Sequence, residues 1–509
     1  MRENSRFKTV SLVIIITLIG KFMGLGRGVL IGQTFGTGME ADALLAASQF
    51  PRLFFDAVFA SAVSASFIPV FNEILQRKGR EEAIGLSNSF FTVVGLAAAA
   101  ITALGVIFAP VLVEIMANFG PETAVLAARL LRIIFPTLFF TALAFSMVGI
   151  LNSFGEFNVP AAMSIASNGV LIVYFLFFVG RFGVHGAAVA FLIGWAGQAL
   201  MQVPSLKKRG YCYRPRLWHP DLKKIFILML PVMVGTLAQP INMAISIRFA
   251  STLSGGVASL EYANGLYIIV AGIFVLSMTN VIFPEMSRLS AAGDREKLRQ
   301  VVSSTIQTIL FLLIPMTVGL MLLSTPLIQL LYERQQFDAE STRLTATALF
   351  FLSIGIVGYG VQNVLIRAFF AEKKGKVPLI SSLVSIGVNL GLCMLLVERF
   401  GVGGLAFASA AALTAAAAVL AVAVHRRDKN LFTKAAWGDL LKMAVSSAIM
   451  GLGVFLLRNV LAPLVGAGFL GQIILVLVPA AIGLAMYLSL ARLFRLPQME
   501  HVMKLIKRR

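Results

Sequence analysis

Apolar residues in this chain come in long unbroken runs, not at a period that would leave a polar face on each segment. Each run, about 20 residues, is long enough to cross a hydrocarbon core of roughly 30 Å at about 1.5 Å per residue. A large soluble core would show polar positions returning roughly every 3.6 residues, and most of these runs do not. Fourteen spans can be placed, at approximately 9–31, 43–74, 86–112, 124–152, 160–180, 185–204, 224–250, 258–287, 300–324, 342–370, 377–398, 402–424, 436–457 and 467–491. The expected fold is an all-α polytopic membrane protein with fourteen transmembrane helices. The opening MRENSRFKTVSLVIIITLIG has a basic head and an apolar run like a signal peptide. No small-residue cleavage site follows, so it reads as a retained first span.

The segments between spans fix the expected topology. An even number of spans puts both termini on one side, and the charges choose which. The N-terminus carries Arg2, Arg6 and Lys8; the loop after the second span reads QRKGREE, and that after the sixth KKRGYCYRPRLWHPDLKK. Later loops on the same side hold Arg288, Arg295, Lys297 and Arg299, then Lys373, Lys374 and Lys376, then Arg426, Arg427, Lys429 and Lys434, and the tail ends KLIKRR. Both termini are therefore expected in the cytoplasm. The net charge of +20, which alone would suggest nucleic acid, is topology signal and attraction to anionic lipid headgroups. No nucleic-acid partner is expected.

Repeats divide the chain. RFGVHGAA at Arg181 returns as RFGVGGLA at Arg399, and Val159-Pro160 as Val377-Pro378, both 218 residues later. Pro69 matches Pro284 at 215, and Pro110 matches Pro326 at 216. Two six-span lobes, 1–216 and 217–430, precede an extra helix pair with a basic tail, 431–509. Six spans per lobe give a parallel repeat, an arrangement that commonly holds a substrate between its halves and alternates access to it. That pattern implies a transporter.

Charges inside the spans suggest what it handles. Between Gly20 and Phe59 lie Lys21, Arg27, Asp42, Arg52 and Asp56. A charge near the bilayer centre costs roughly 2.5–3.5 kcal/mol on insertion scales, so such residues read as functional. Arg27, Lys21 and Arg52 make a cationic cavity suited to phosphate, the Arg fork through paired hydrogen bonds and Lys as a point charge; snorkelling to the interface is the alternative for each. Asp42 reads as a gate residue or ion site, or as an N-cap of the second span. Asp56 stands four residues after Arg52, the spacing of a helix ion pair, and shares the gate or ion-coupling reading. Arg248 closes the seventh span and Glu261 opens the eighth. Helices 13 and 14 carry little charge and could form a groove for a lipid tail.

Other chemistry is not indicated. Cys212 and Cys393 match no metal or redox spacing, and the four histidines pair with no ligand. There is no GxxxxGK[ST], HExxH or nucleophile elbow, so the chain is not expected to be an enzyme or to hold a cofactor. Drive must come from an ion gradient, the membrane potential or the substrate gradient.

These residues resemble the MurJ (MviN) lipid II flippases of the MOP exporter superfamily. The likeness is carried by GLGRGVLIGQTFGTGMEADAL at Gly24–Leu44, FIPVF, RFASTLSGGVASLEYANGL at Arg248–Leu266, VIFPEMSR at Val281, LYERQQFDAEST at Leu331 and IRAFFAEKKGKVP at Ile366. It implies export of an undecaprenyl-pyrophosphate sugar-peptide to the outer leaflet for cell-wall biosynthesis, by a monomer that associates with the cell-wall synthesis machinery. The family's arginine falls on Arg27, a basic residue one and a half turns earlier on Lys21, and an acidic residue on Asp42. The family's basic positions in helix 2 are here Phe55 and Asp56, with Arg52 one turn before. The arginine at the start of helix 8 is replaced by Gly265, and Gly28 stands where an acidic residue is common; Arg248 could supply some of the lost charge. The alternatives are a flippase for another lipid-linked oligosaccharide, or an ion-coupled drug exporter of the same superfamily, which would favour intramembrane carboxylates.

Overall fold

A computed structural model describes residues 2–427, 434–466 and 468–499, with backbone alone for some, 53–58 among them. The tail beyond 499 and the connection 428–433 lie outside the described residues. Every regular element described is a helix: α1 (Arg2–Phe35), α2 (Met39–Ala62), α3 (Ile68–Arg77), α4 (Arg80–Ile107), α5 (Ala109–Met116), α6 (Pro121–Ile134), α7 (Thr137–Ser153), α8 (Asn158–Phe177), α9 (Val179–Leu200), α10 (Val203–Lys208), α11 (Leu222–Thr236), α12 (Ala238–Ala250), α13 (Gly256–Tyr267), α14 (Ile273–Ala291), α15 (Arg295–Leu322), α16 (Ser324–Tyr332), α17 (Ala339–Ile354), α18 (Ile356–Ala371), α19 (Lys376–His425), α20 (Lys434–Leu461) and α21 (Phe469–Leu493).

Ten helical stretches among the described residues are long and apolar enough to cross a membrane, or up to twelve if each of two bent pairs is one span. The bent pairs are α11 with α12, at 50°, and α17 with α18, at 44°. Leu104, Leu176, Leu395, Leu452 and Leu477 stand exposed along the stretches. In water these side chains would be a liability; against lipid they are ordinary, because each helix already satisfies its own backbone.

Several helix breaks resemble one another at the sequence offsets. Pro160 and Pro378 each sit third in their helix, where a missing N–H costs nothing. The breaks before Pro110 and Pro326 have nearly the same backbone, φ −90°, ψ 15° at Phe108 and φ −98°, ψ 7° at Leu323. Gly183 (φ 54°, ψ −149°) and Gly401 (φ 52°, ψ −132°) share a conformation that side chains disfavour. Each glycine turns the chain back on itself. Gln198 Nε2 donates to Ser167 Oγ at 2.7 Å, and Ser381 Oγ to the Ala416 carbonyl at 3.0 Å, which pairs residues about equally far on either side of the glycine. The Pro69/Pro284 pair departs from this likeness. A π-helical turn, Val63–Phe67, directly precedes the helix holding Pro69, whereas its counterpart Ile268–Gly272 lies well upstream of Pro284.

The helices group into two compact units, residues 1–258 and 259–509. In the first, α1 lies along α8, α8 folds back on α9, and α2 packs among α6, α7 and α11. Helices α11 and α12 thus pack with this unit although the repeat begins near 217. A polar clasp explains why. The basic segment after α10 is fastened to α3 and α4 by Lys78–Asp221 (2.9 Å), Lys224–Glu73 (2.7 Å), His219–Glu82 (3.1 Å) and the buried bond from Tyr211 to Asn88 (2.7 Å). Phe226 of α11 adds a ring contact with Phe90.

In the second unit, α19 packs on α17 and α18, and α20 and α21 pack on α15. That last contact buries Phe311, Met443, Met450, Val454 and Tyr487. It also places the Tyr487 hydroxyl on the Phe311 carbonyl at 2.8 Å. The extra helix pair is thereby anchored to its unit by packing and by one buried polar bond.

Candidate functional site

The site is built on the glycines of α1. Gly20, Gly24 and Gly28 recur every fourth residue, so one face of the helix carries almost no side chain and a neighbour can approach closely. Helix α8 takes that place. A Cβ on Gly20 would lie 2.1 Å from Ser164 Oγ, and one on Gly24 would lie 3.4 Å from Asn168 Nδ2. Ser164 and Asn168 are themselves four apart, on one face of α8.

Close approach puts Asn168 between two groups of α1. Its Nδ2 donates to the Gly20 carbonyl at 3.0 Å, and its Oδ1 accepts from Arg27 Nη1 at 3.0 Å. Both amide atoms are used in the only orientation that suits an acceptor at one end and a donor at the other. The half-buried guanidinium of Arg27 also lies over the Phe191 ring of α9, 5.7 Å from its centroid. Asn168 and Phe191 are neutral, so these two contacts orient the cation without cancelling its charge. A guanidinium oriented inside a helix bundle can grip an oxyanion at little cost in side-chain ordering.

Lys21 is half-buried and follows Gly20 directly on α1. Arg52 is half-buried on α2, just after Pro51, which leaves the helix one hydrogen bond short. The side chain of Asp56 lies outside the described residues.

Asp42 is buried and serves a helix other than its own. Its Oδ2 accepts from the Gly255 N–H at 2.9 Å and its Oδ1 from the Ala258 N–H at 2.8 Å, at the opening of α13. The N-cap of α2 is Gly38, without a side-chain cap bond, so capping of its own helix is not its role. A carboxylate at a helix N-terminus satisfies two donors that would otherwise have no partner and opposes the positive end of the dipole.

Arg248 works at the other polarity. Its Nη1 donates to the carbonyls of Glu114 and Ile115, at 3.0 and 2.6 Å, where α5 ends. Ser251 accepts from the Asn118 N–H at 2.6 Å beside it. One turn of α12 and the residues after it therefore cap α5. Among the described residues, no group of three His, Cys, Asp or Glu side chains could hold a metal ion.

Sequence reading did not single out Asn168 or Phe191. The signal for Asn168 was present, a lone amide inside the apolar run AAMSIASNGVLIVYF. For Phe191 there was none, because an aromatic in a span is ordinary lipid-facing or core residue until its neighbour is known.

As a class, this is a multi-pass helical membrane protein whose first unit carries an oriented cation among its helices. The family model for the lipid II flippase MurJ matches residues 31–476. A protein of Rhizobium tropici named as a probable lipid II flippase MurJ is 29% identical over 464 residues, 89% of this chain and 87% of that one. A solved structure of the lipid II flippase MurJ in an inward closed conformation aligns with TM-score 0.80 and 25% identity, over 95% of this chain and 98% of the other. An inward-facing multidrug transporter of the MATE family and MOP superfamily shares the fold, at TM-score 0.71 and 18% identity over 82% and 98%. The chain belongs to the MurJ family of lipid II flippases.

Proposed function

We propose that this protein moves a lipid-linked peptidoglycan precursor, an undecaprenyl-pyrophosphate sugar-peptide, from the cytoplasmic to the outer leaflet by alternating access. The observation that carries the reading is Arg27, a cation oriented by Asn168 and Phe191 among the helices of the first unit. Lys21 and Arg52 add charge to the same task, and Arg248 contributes through the donors not used on α5. Asp42, by gripping the start of α13, acts as a gate residue that releases when the carboxylate lets go, and Asp56 tunes Arg52. Fourteen spans, with both termini in the cytoplasm and lobes at 1–216 and 217–430, give the topology. The pair in 431–509 offers its groove to the polyprenyl tail. An ion gradient or the membrane potential supplies the drive, and no cofactor takes part. The protein works as a monomer beside the cell-wall synthesis machinery.

A second reading, transport of another lipid-linked oligosaccharide, is favoured by one observation: Gly265 stands where the family has arginine. Nothing lies within 4 Å of a Cβ built there, so an arginine fits.

Complementation tests the proposal. The chain is expressed in a bacterium depleted of its own peptidoglycan flippase, beside Arg27→Ala and Gly265→Arg at equal membrane levels. Rescue by the parent and failure of Arg27→Ala is the expected result. Rescue only by Gly265→Arg moves the assignment to another lipid-linked glycan. Rescue by Arg27→Ala as good as the parent's overturns the role of the cation.

A further inference from the structure

Within the first unit, a cavity of about 500 Å³ is lined by Arg80, Phe154, Lys208, Arg209 and Gly210. Three cations from two separate elements converge on it: Arg80 opens α4, and Lys208 and Arg209 end α10. Like charges gathered on one cavity repel unless something neutralises them. Arg209 has such a partner, donating to Glu156 Oε2 at 3.0 Å and to the Phe154 carbonyl at 2.9 Å. Among the described residues Arg80 pairs with no carboxylate: it donates to the Arg209 carbonyl and lies over the Phe154 ring, 5.0 Å from the centroid. Two carboxylates in this region are engaged elsewhere, Glu82 on His219 and Asp221 on Lys78. Lys208 is exposed beside the cavity. The arrangement is therefore a fixed, aromatic-backed guanidinium next to an exposed ammonium, a pair suited to a phosphate group.

We infer that this cavity binds the phosphate of an anionic phospholipid headgroup. The membrane is favoured over a soluble phosphate by the segment that carries the cations. Just beyond Gly210 it exposes Tyr213, Leu217 and Trp218, at 44%, 65% and 68%. Apolar and amphipathic aromatic side chains held outward next to clustered Lys and Arg are the pattern of a segment resting at headgroup depth. The site is separate from the substrate grip at Arg27 and stands whether or not the flippase reading holds.

The test uses the full chain purified in a neutral detergent and titrated with phosphatidylglycerol, with phosphatidylcholine and with inorganic phosphate, binding being read by native mass spectrometry. Lys208→Gln is the first variant, since its side chain is exposed and its loss leaves the fold intact; Arg80→Gln is the second. Lys207→Gln, next in sequence but not lining the cavity, is the control. Each charge removed from the cavity is expected to weaken phosphatidylglycerol binding about fivefold, the effect of one basic residue at a membrane surface. Phosphatidylcholine binding and the control should not change. Displacement of the lipid by millimolar phosphate would reassign the same site to a soluble phosphate and overturn the lipid as its occupant. Unchanged lipid binding in both cavity variants would overturn the site itself.

Discussion

Replacing Asn168 with leucine tests the link between helix packing and the cation directly. Leucine keeps the volume, so the close approach of α8 to α1 survives, but both hydrogen bonds of the amide are lost. The bond to Arg27 is charge-assisted, a type worth about 1.5–3 kcal/mol in soluble proteins. Interhelical bonds within membranes measure lower, about 0.6 kcal/mol on average and about 1.7 at most. Taking the membrane scale for the Gly20 carbonyl and a value between the two for Arg27, the change should cost about 2 kcal/mol of stability. Arg27 itself would remain charged but no longer be held over one spot. If about 1.4 kcal/mol of that loss falls on its correct placement, transport drops tenfold. The assay is translocation of a fluorescent lipid-linked precursor in proteoliposomes, paired with thermal unfolding in detergent. Asn168→Asp separates position from charge. It keeps the oxygen that holds Arg27 yet sets a negative charge against it, so the protein should unfold no earlier than Asn168→Leu while transporting less than the parent. Transport by Asn168→Leu equal to the parent's would refute the view that Asn168 orients the cation.

Three further outcomes follow from the geometry. Gly183→Ala and Gly401→Ala should each lower stability by about 1–3 kcal/mol, because both positions hold a backbone that a Cβ strains, and thermal unfolding should show the two losses to be similar. Asp42→Asn sets an amide group against one of two backbone N–H donors, so it should cost about 1.5–3 kcal/mol and speed proteolysis of the segment before α13. Asp338 caps α17 by accepting from the Ser341 N–H at 2.8 Å, and that bond holds its carboxyl below the ordinary 3.8. A lowered folded value means the stabilisation is complete above the unfolded value and fades as pH falls through the folded one. The difference in unfolding temperature between parent and Asp338→Ala should be constant near neutrality and vanish in acid well below pH 3.8.

The multi-pass helical character was legible from the sequence because apolar runs of membrane length have few competing explanations, while ten to twelve stretches among the described residues qualify as spans where fourteen were expected. The turn between spans at RFGV was legible too, since a glycine in each copy sits where the chain must reverse. What the runs conceal is polar geometry. Asp42 stood in the sequence as a charge near a helix start, and nearness to α2 made capping of that helix a natural reading; its real partners are the N–H groups of Gly255 and Ala258, more than two hundred residues away. Arg248 similarly revealed its charge but not the carbonyls of α5 that receive it. The packing of α11 with the first unit was hidden as well, since the sequence offsets say nothing of where Lys224 finds Glu73.

The breaks at Phe108 and Leu323, and the reversals at Gly183 and Gly401, match closely in backbone conformation. The grip on Arg27 is not shared. At the repeat offsets of 215 to 218 residues, the positions answering to Arg27 are Asn242, Met243, Ala244 and Ile245, and Asn168 answers at 218 to Ile386. The halves are therefore not interchangeable: a chain built from two copies of residues 217–430 would keep the bends at Leu323 and Gly401 and lose the oriented guanidinium of Arg27.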